Sequence, residues 1–394
     1  MNTLYFDNNA TTAVAPEVLD EMLPYLRELY GNPSSMHTFG GRLHGKIEEA
    51  RARVARLVGA DPEEIIFTSC GTESDNTAIM SAVESLPQKK HIVTTRVEHP
   101  AVLNFFKHLA RKGYRVTLLP VNSQGQLNIE DLIKVINDDT ALVSIMYANN
   151  EIGNIYPVAE IGKLLRERRI LFHTDAVQTV GKIPIDLKTL PVDMLSLSGH
   201  KLHAPKGVGA LYVRKGTRFY PYIIGGHQEK GRRAGTENIA SIIALGKACE
   251  LAMESLLQEE IYLKKLRDKL EDTLMRTCPD VRINGDAGSR LPNTTNLSFE
   301  YVEGEAILLR LNEYGVCASS GSACTSGSLE PSHVLRAMGV PFTAIHGSIR
   351  FSLSRYNTEA EIDTVIEIMP GIIKTLRELS PFGREKTGQI NKCP

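Results

Sequence analysis

Short apolar runs recur through the first two-thirds of this chain, and helix-like segments separate most of them. The runs fall at 64–68, 91–95, 114–119, 141–147, 169–173, 194–198 and 209–213. Helical spacing of apolar residues marks 73–84, 100–112, 129–136 and 158–167. Strands that are apolar throughout cannot present one face to water, so a sheet built from them must be covered on both sides. Alternation with helices makes that sheet mostly parallel. The expected class is α/β, with a mostly parallel sheet of seven-stranded type flanked by helices. The rhythm then changes. Residues 239–276 read as one or two long helices. Strands at 281–283, 295–299 and 349–353 and a helix at 303–312 suggest a smaller α+β unit. Thr358 and Glu361 have the spacing of a capping box that opens a last helix through Leu376. The tail, 380–394, is polar and aperiodic and is expected to be disordered.

Composition narrows the function classes. The 394 residues carry 45 basic against 46 acidic side chains, a balance with no drive toward nucleic acid. The N-terminus has neither the basic start nor the apolar core of a signal peptide, and no apolar run nears the ~18 residues of a membrane span. Cysteines stand at positions 70, 249, 278, 317, 324 and 393, with no CxxC pair. Six in a chain of this length is no disulfide framework, and reduced thiols fit a cytoplasmic location. The scattered His and Cys residues lack zinc-ligand spacing, so no structural metal is expected.

Three strand ends carry chemistry-bearing residues. The run ending in Ser198-Gly199-His200-Lys201 places a lysine at the edge of a buried strand, where a charged amine is costly. One reading is an amine that forms a Schiff base with an aldehyde cofactor; the plain alternative is an exposed loop lysine. Asp175 and Gln178 follow another apolar strand, and parallel strands bring their carboxyl ends to one edge. An aspartate there can keep a pyridinium nitrogen protonated, or it can simply cap a helix. Between a strand and a helix, Gly71-Thr72 offers backbone N–H groups and a hydroxyl to an anion.

These residues sit within longer matching stretches. They include Leu4 to Thr12, Gly31-Asn32-Pro33-Ser34-Ser35, Gly71-Thr72-Glu73-Ser74, Glu98-His99-Pro100-Ala101-Val102, Asn149-Asn150-Glu151-Ile152-Gly153, His173-Thr174-Asp175-Ala176 and Ser198-Gly199-His200-Lys201. The most specific is Ser319-Ser320-Gly321-Ser322-Ala323-Cys324-Thr325-Ser326-Gly327. On them the chain resembles, over nearly its whole length, the cysteine desulfurases, which are class-V aminotransferase-like, fold-type I pyridoxal 5′-phosphate (PLP) enzymes built like aspartate aminotransferase. Arg232 to Asn238, Leu202 to Gly207 and the residues after Cys324 resemble the nitrogenase-dedicated NifS branch. Housekeeping IscS-type enzymes and selenocysteine lyases share most of the same residues. A non-catalytic assembly platform is the alternative from outside enzymology, and intact Lys201, Asp175, His99 and Cys324 weigh against it.

The resemblance implies a large PLP-binding domain over 15–259 and a small domain made of 1–14 and 260–379. It implies that Lys201 holds the cofactor covalently, Asp175 pairs with the pyridinium nitrogen and Gln178 donates to the phenolic oxygen. His99 is implied to stack on the ring and to act as acid and base toward thiols. Gly71, Thr72, Ser198 and His200 would bind the phosphate, with Thr236 completing that site in a neighbouring subunit of a homodimer. Asn150 would lie beside the cofactor and substrate, and Arg350 would clamp the carboxylate of L-cysteine. Cys324 would take the sulfur as a persulfide and pass it to an iron-sulfur scaffold protein, NifU-like or IscU-like, touching a cluster there only transiently. Composition adds one expectation. Seven of the eleven residues from Ala318 to Ser328 are Ser or Gly and none is large and apolar, so this loop is expected to be mobile.

Overall fold

The computed structural model describes residues 3–320 and 331–380. Cys324 with its loop tip, and the tail beyond Ser380 with Cys393, lie outside the described residues. Twelve strands form among them: β1 Leu4–Tyr5, β2 Ile65–Thr68, β3 His91–Thr95, β4 Arg115–Leu119, β5 Thr140–Ser144, β6 Leu171–Asp175, β7 Met194–Ser198, β8 Gly209–Val213, β9 Val281–Ile283, β10 Thr294–Phe299, β11 Val316–Cys317 and β12 Ser348–Ser352.

The central sheet has seven strands in the order β2-β8-β7-β6-β5-β3-β4. Strands β2, β3, β5, β7 and β8 are buried along their full length, and β6 in all but Leu171, as their apolar runs require. All strands point the same way except β8, which is antiparallel to both of its neighbours. The reason is local. Residues 199–208 between β7 and β8 hold only the short turn Gly199–Lys201, and a parallel return needs a crossover of a dozen or more residues. The carboxyl ends of β2, β3, β5, β6 and β7 therefore share one edge.

The 239–276 segment is a single helix, Ile239–Thr277, of 39 residues and so roughly 58 Å long. Its first part packs into the apolar cluster under the central sheet through Ile242, Ile243, Leu245 and Ala248. Its later part joins a second cluster through Leu263, Leu266, Leu270 and Leu274. That second cluster also holds Phe6, Phe299, Ile349 and Phe351, and is roofed by the helix Glu359–Leu379 with Thr358 and Glu361 in a true capping box. Antiparallel β12-β10-β9 forms its sheet, and β1 pairs in parallel with β11. The chain thus starts inside the unit built by its last third, and this start lays residues 7–10 across the edge of the central sheet.

Candidate active site

A cavity of about 480 Å³ opens at that shared edge. The strand ends supply Gly71 and Thr72 after β2, His99 after β3, Asn150 after β5, Asp175 and Gln178 at and after β6, and Ser198, His200 and Lys201 at and after β7. Arg350 reaches the cavity from β12. Ten sequence-selected residues therefore meet in one place. Thr236 does not: it is exposed, on the loop after Gln228–Gly231.

Lys201 turns its Nζ onto the carbonyl oxygens of Asn9 and Ala10, the latter at 2.7 Å. Backbone acceptors thus help hold its amine in the cavity. Asp175, on the neighbouring strand, is buried, and its Oδ1 accepts from the N–H of Val177 at 2.9 Å. Burial pushes its carboxyl up to about 6, against the pull of that N–H and of Lys201. Gln178 is oriented from both ends. Lys182 Nζ donates to its Oε1 at 2.8 Å, which fixes the Nε2 as the inward donor, bonded to Asn9 O at 2.9 Å. Burial, then Lys201 and Arg350, brings the Lys182 ammonium down to about 7.

At the anion end, Gly71 opens the helix Gly71–Ser85. A Cβ on Gly71 would come within 2.7 Å of Val177 Cγ2 and 3.4 Å of Ser198 Cβ, so any larger residue would fill the floor of the turn. Beside it the Ser198 hydroxyl is buried with no hydrogen-bond partner among the described residues. A buried hydroxyl without a partner costs stability unless a ligand supplies one. Thr72 is exposed at the same helix start, and His200 Nδ1 lies 3.1 Å from Thr11 Oγ1. Burial and the nearby lysines hold His200 neutral, down to about 4.

His99 caps the helix Pro100–Arg111: its Nδ1 accepts from the N–H of Ala101 at 3.1 Å. Burial, with Lys201 and His333 nearby, brings it down to about 4. Arg350 is buried, donates to Asp7 Oδ1 at 2.6 Å and to the Asn150 carbonyl at 2.9 Å, and so has its guanidinium fixed at the cavity wall.

The arrangement has counterparts among known proteins. Residues 4–365 match the aminotransferase class-V family. A cysteine desulfurase of Nostoc sp. is 62% identical over 99% of this chain and 98% of its own. The cysteine desulfurase NifS of Azotobacter vinelandii is 56% identical over 97% and 95%. A solved NifS-like protein superposes with a TM-score of 0.90 at 42% identity, covering 95% of this chain and all of that one. A solved SspA in complex with cysteine superposes at 0.80 with 35% identity, over 91% of this chain and all of that one. This chain belongs to the cysteine desulfurase family.

The desulfurases of this family are pyridoxal 5′-phosphate enzymes, and the cavity fits that cofactor on its own terms. A phosphate would satisfy the partnerless Ser198 hydroxyl at a helix N-terminus that only glycine leaves open. A ring N–H⁺ would add a positive partner for the buried Asp175 carboxyl, which burial otherwise disfavours in its charged form. Several residues of the desulfurase site carried no individual role in the sequence. The Asn9 and Ala10 carbonyls are backbone atoms and leave no residue signature. Lys182 follows Gln178 by one helical turn, a spacing that could have flagged it. Glu98, buried and accepting from Thr95 Oγ1 and the Met146 N–H, is pushed up to about 8 by burial. Among the described residues no group of three His, Cys, Asp or Glu gathers to hold a metal ion.

Proposed function

We propose that this desulfurase takes sulfur from L-cysteine onto Cys324, releases L-alanine, and hands the persulfide to an iron-sulfur scaffold protein during nitrogenase metallocluster assembly. The relatives named NifS and the solved relative with cysteine bound support that destination and that substrate. The observation that carries the chemistry is the placement of Asp175 at the end of β6 and Lys201 just after the neighbouring β7, both lining one cavity.

Bound pyridoxal phosphate supplies an electron sink that weakens the bonds at the substrate α-carbon. The chain does the rest. Lys201 Nζ would hold the cofactor covalently, and as a free amine at the same place it would take the substrate α-proton. Asp175 holds the positive ring nitrogen, and Gln178 donates through the Nε2 that Lys182 orients. Gly71, Thr72, Ser198 and His200 bind the phosphate. Asn150 borders cofactor and substrate, and Arg350 receives the substrate carboxylate as a bidentate pair. His99 donates from Nε2, because its Nδ1 is committed to the helix cap.

We further read the chain as a large domain over 15–259 and a small one from 1–14 and 260–379; the second apolar cluster supports this, although the first also takes in Val334, Leu335, Met338, Val340, Ala344 and Ile345. Exposed Thr236 fits a residue lent to a neighbour, hence a homodimer, and the reduced thiols fit the cytoplasm. Among the described residues no helix is long and apolar enough to cross a membrane. Borohydride reduction of the holoenzyme followed by peptide mapping tests the assignment. Label belongs on Lys201; label on Lys182 or Lys206 would overturn it.

A further inference from the structure

The stretch from Leu4 to Thr12 carries part of the family resemblance, yet it gave Asp7 no role. Strand β12 decides where Asp7 lies. Arg350 and Ser352 stand two residues apart on that strand and so project from one face, while Phe351 between them packs into the second apolar cluster. The chain start is laid along β12. Asp7 bridges in parallel to Ser352, the Ser352 N–H donates to the Phe6 carbonyl at 2.7 Å, and the Asn9 N–H donates to Ser352 Oγ at 2.9 Å. With that register set, Asp7 reaches Arg350, and its Oδ1 accepts from Nη2 at 2.6 Å.

Asp7 holds Arg350 from behind. Asn9, Ala10, Asn150 and Arg350 line the cavity, whereas Asp7 is not among its lining residues. The Asp7 carboxylate is thus a support for the guanidinium and not a competitor for the ligand's place. On the other side, Arg350 Nη1 donates to the Asn150 carbonyl at 2.9 Å. A planar guanidinium pairs with a carboxylate through two parallel bonds only when its fork is aimed correctly, and a misplacement of about 1 Å can cost roughly 100-fold. Glu151, a nearby acid, is no substitute: burial pushes its carboxyl up, and its Oε2 accepts from Ser332. The same strap also meets the amine end of the site. The Asn9 and Ala10 carbonyls accept from Lys201 Nζ, and the Asn9 carbonyl accepts from Gln178 Nε2 as well. Residues 7–10 therefore fix, together, where an amine and where a carboxylate can sit.

We propose that Asp7 is a positioning residue that makes the site selective for amines bearing an α-carboxylate, by aiming the Arg350 guanidinium into the cavity. This rests on the reading of Arg350 as the clamp for the substrate carboxylate. Asp7 touches neither substrate nor cofactor, and its contribution is the angle and depth of the fork. An amine without a carboxylate makes no use of that fork, so its binding is indifferent to Asp7.

Binding to the holoenzyme is read from the change in cofactor absorbance, for L-cysteine before turnover and for cysteamine, which is L-cysteine without its carboxylate. Asp7→Ala should weaken L-cysteine binding roughly tenfold or more and leave cysteamine binding within about twofold of wild type. The loss should appear in kcat/KM far more than in kcat at saturating L-cysteine. Asp7→Asn keeps an Oδ1 acceptor and should recover most of the affinity. Should Asp7→Ala not fold, Asp7→Glu takes its place, since the added methylene displaces the guanidinium and should weaken L-cysteine alone. Arg350→Gln should abolish the preference for L-cysteine over cysteamine. If Arg350→Gln keeps the wild-type preference, the reading of Arg350 fails first and the role of Asp7 goes with it. If Arg350→Gln loses the preference while the Asp7 variants keep it, or weaken both ligands alike, Asp7 does not aim the clamp and the proposal is wrong.

Discussion

The carboxyl of Asp175 shows how a binding site stores instability until its ligand arrives. Its folded-state pKa is raised, from 3.8 to about 6, chiefly by burial. The folded chain therefore holds this proton more tightly than the unfolded chain, and the stability it contributes is lost as pH rises through about 6. Cofactor-free Asp175→Asn should be more stable than cofactor-free wild type at neutral pH, on the order of 1–3 kcal/mol, with the gap closing below pH 4. Denaturant midpoints at the two pH values check this, and with cofactor bound the order should reverse. Gly71 gives a second prediction. The 2.7 Å approach to Val177 means that Gly71→Ala must push the turn apart, and cofactor affinity should fall about tenfold or more, read by absorbance after dialysis. Lys201, Asp175 and Gly71 stood out by their places at strand ends, each a weak signal alone that the family resemblance joined into one site. The acceptors of Lys201 did not, since any residue offers a carbonyl.

Elements were legible where burial is uniform along the chain. The seven apolar runs became the seven strands of the central sheet, with ends shifted by a few residues; a covered sheet demands apolar residues on both faces, and only the edge strand β4 is largely uncovered. The two-residue strands β1 and β11 were not legible; nothing local says that Leu4 will pair with Val316. The helices Pro16–Arg27 and Leu43–Val58, which pack on the long helix, likewise went unread beside the stronger strand pattern. Another hidden feature is the support of the loop that carries Thr236. Glu229 and Lys230 adopt left-handed φ values of 48° and 58°, costly for side chains of this size. Glu229 offsets this cost by taking a bidentate pair from buried Arg51, at 2.6 and 2.8 Å, and the N–H of Phe67 in β2 at 3.0 Å. Glu229→Ala would leave the Arg51 guanidinium buried without its main partner. Unfolding free energy should drop by about 3–5 kcal/mol in denaturant titration, far more than for an exposed pair such as Lys46 with Glu49.

At the scale of the molecule, one chain builds nearly all of a cofactor site and leaves Thr236 facing outward. If Thr236 completes the phosphate site of a neighbour, a Thr236 variant and a Lys201 variant, each inactive, should regain activity on mixing once subunits exchange. The heterodimer would hold one site with both residues intact. No recovery despite proven exchange would mean that each subunit works alone. The account as a whole turns on where the substrate sulfur goes, and one measurement follows it directly. Holoenzyme is given isotope-labelled L-cysteine without reductant, alanine is quantified, and the peptide containing Cys324 is weighed. One labelled sulfur atom on Cys324 for each alanine released is the predicted result. Alanine formed in step with labelled sulfur on another cysteine, or with none on the chain, would contradict it.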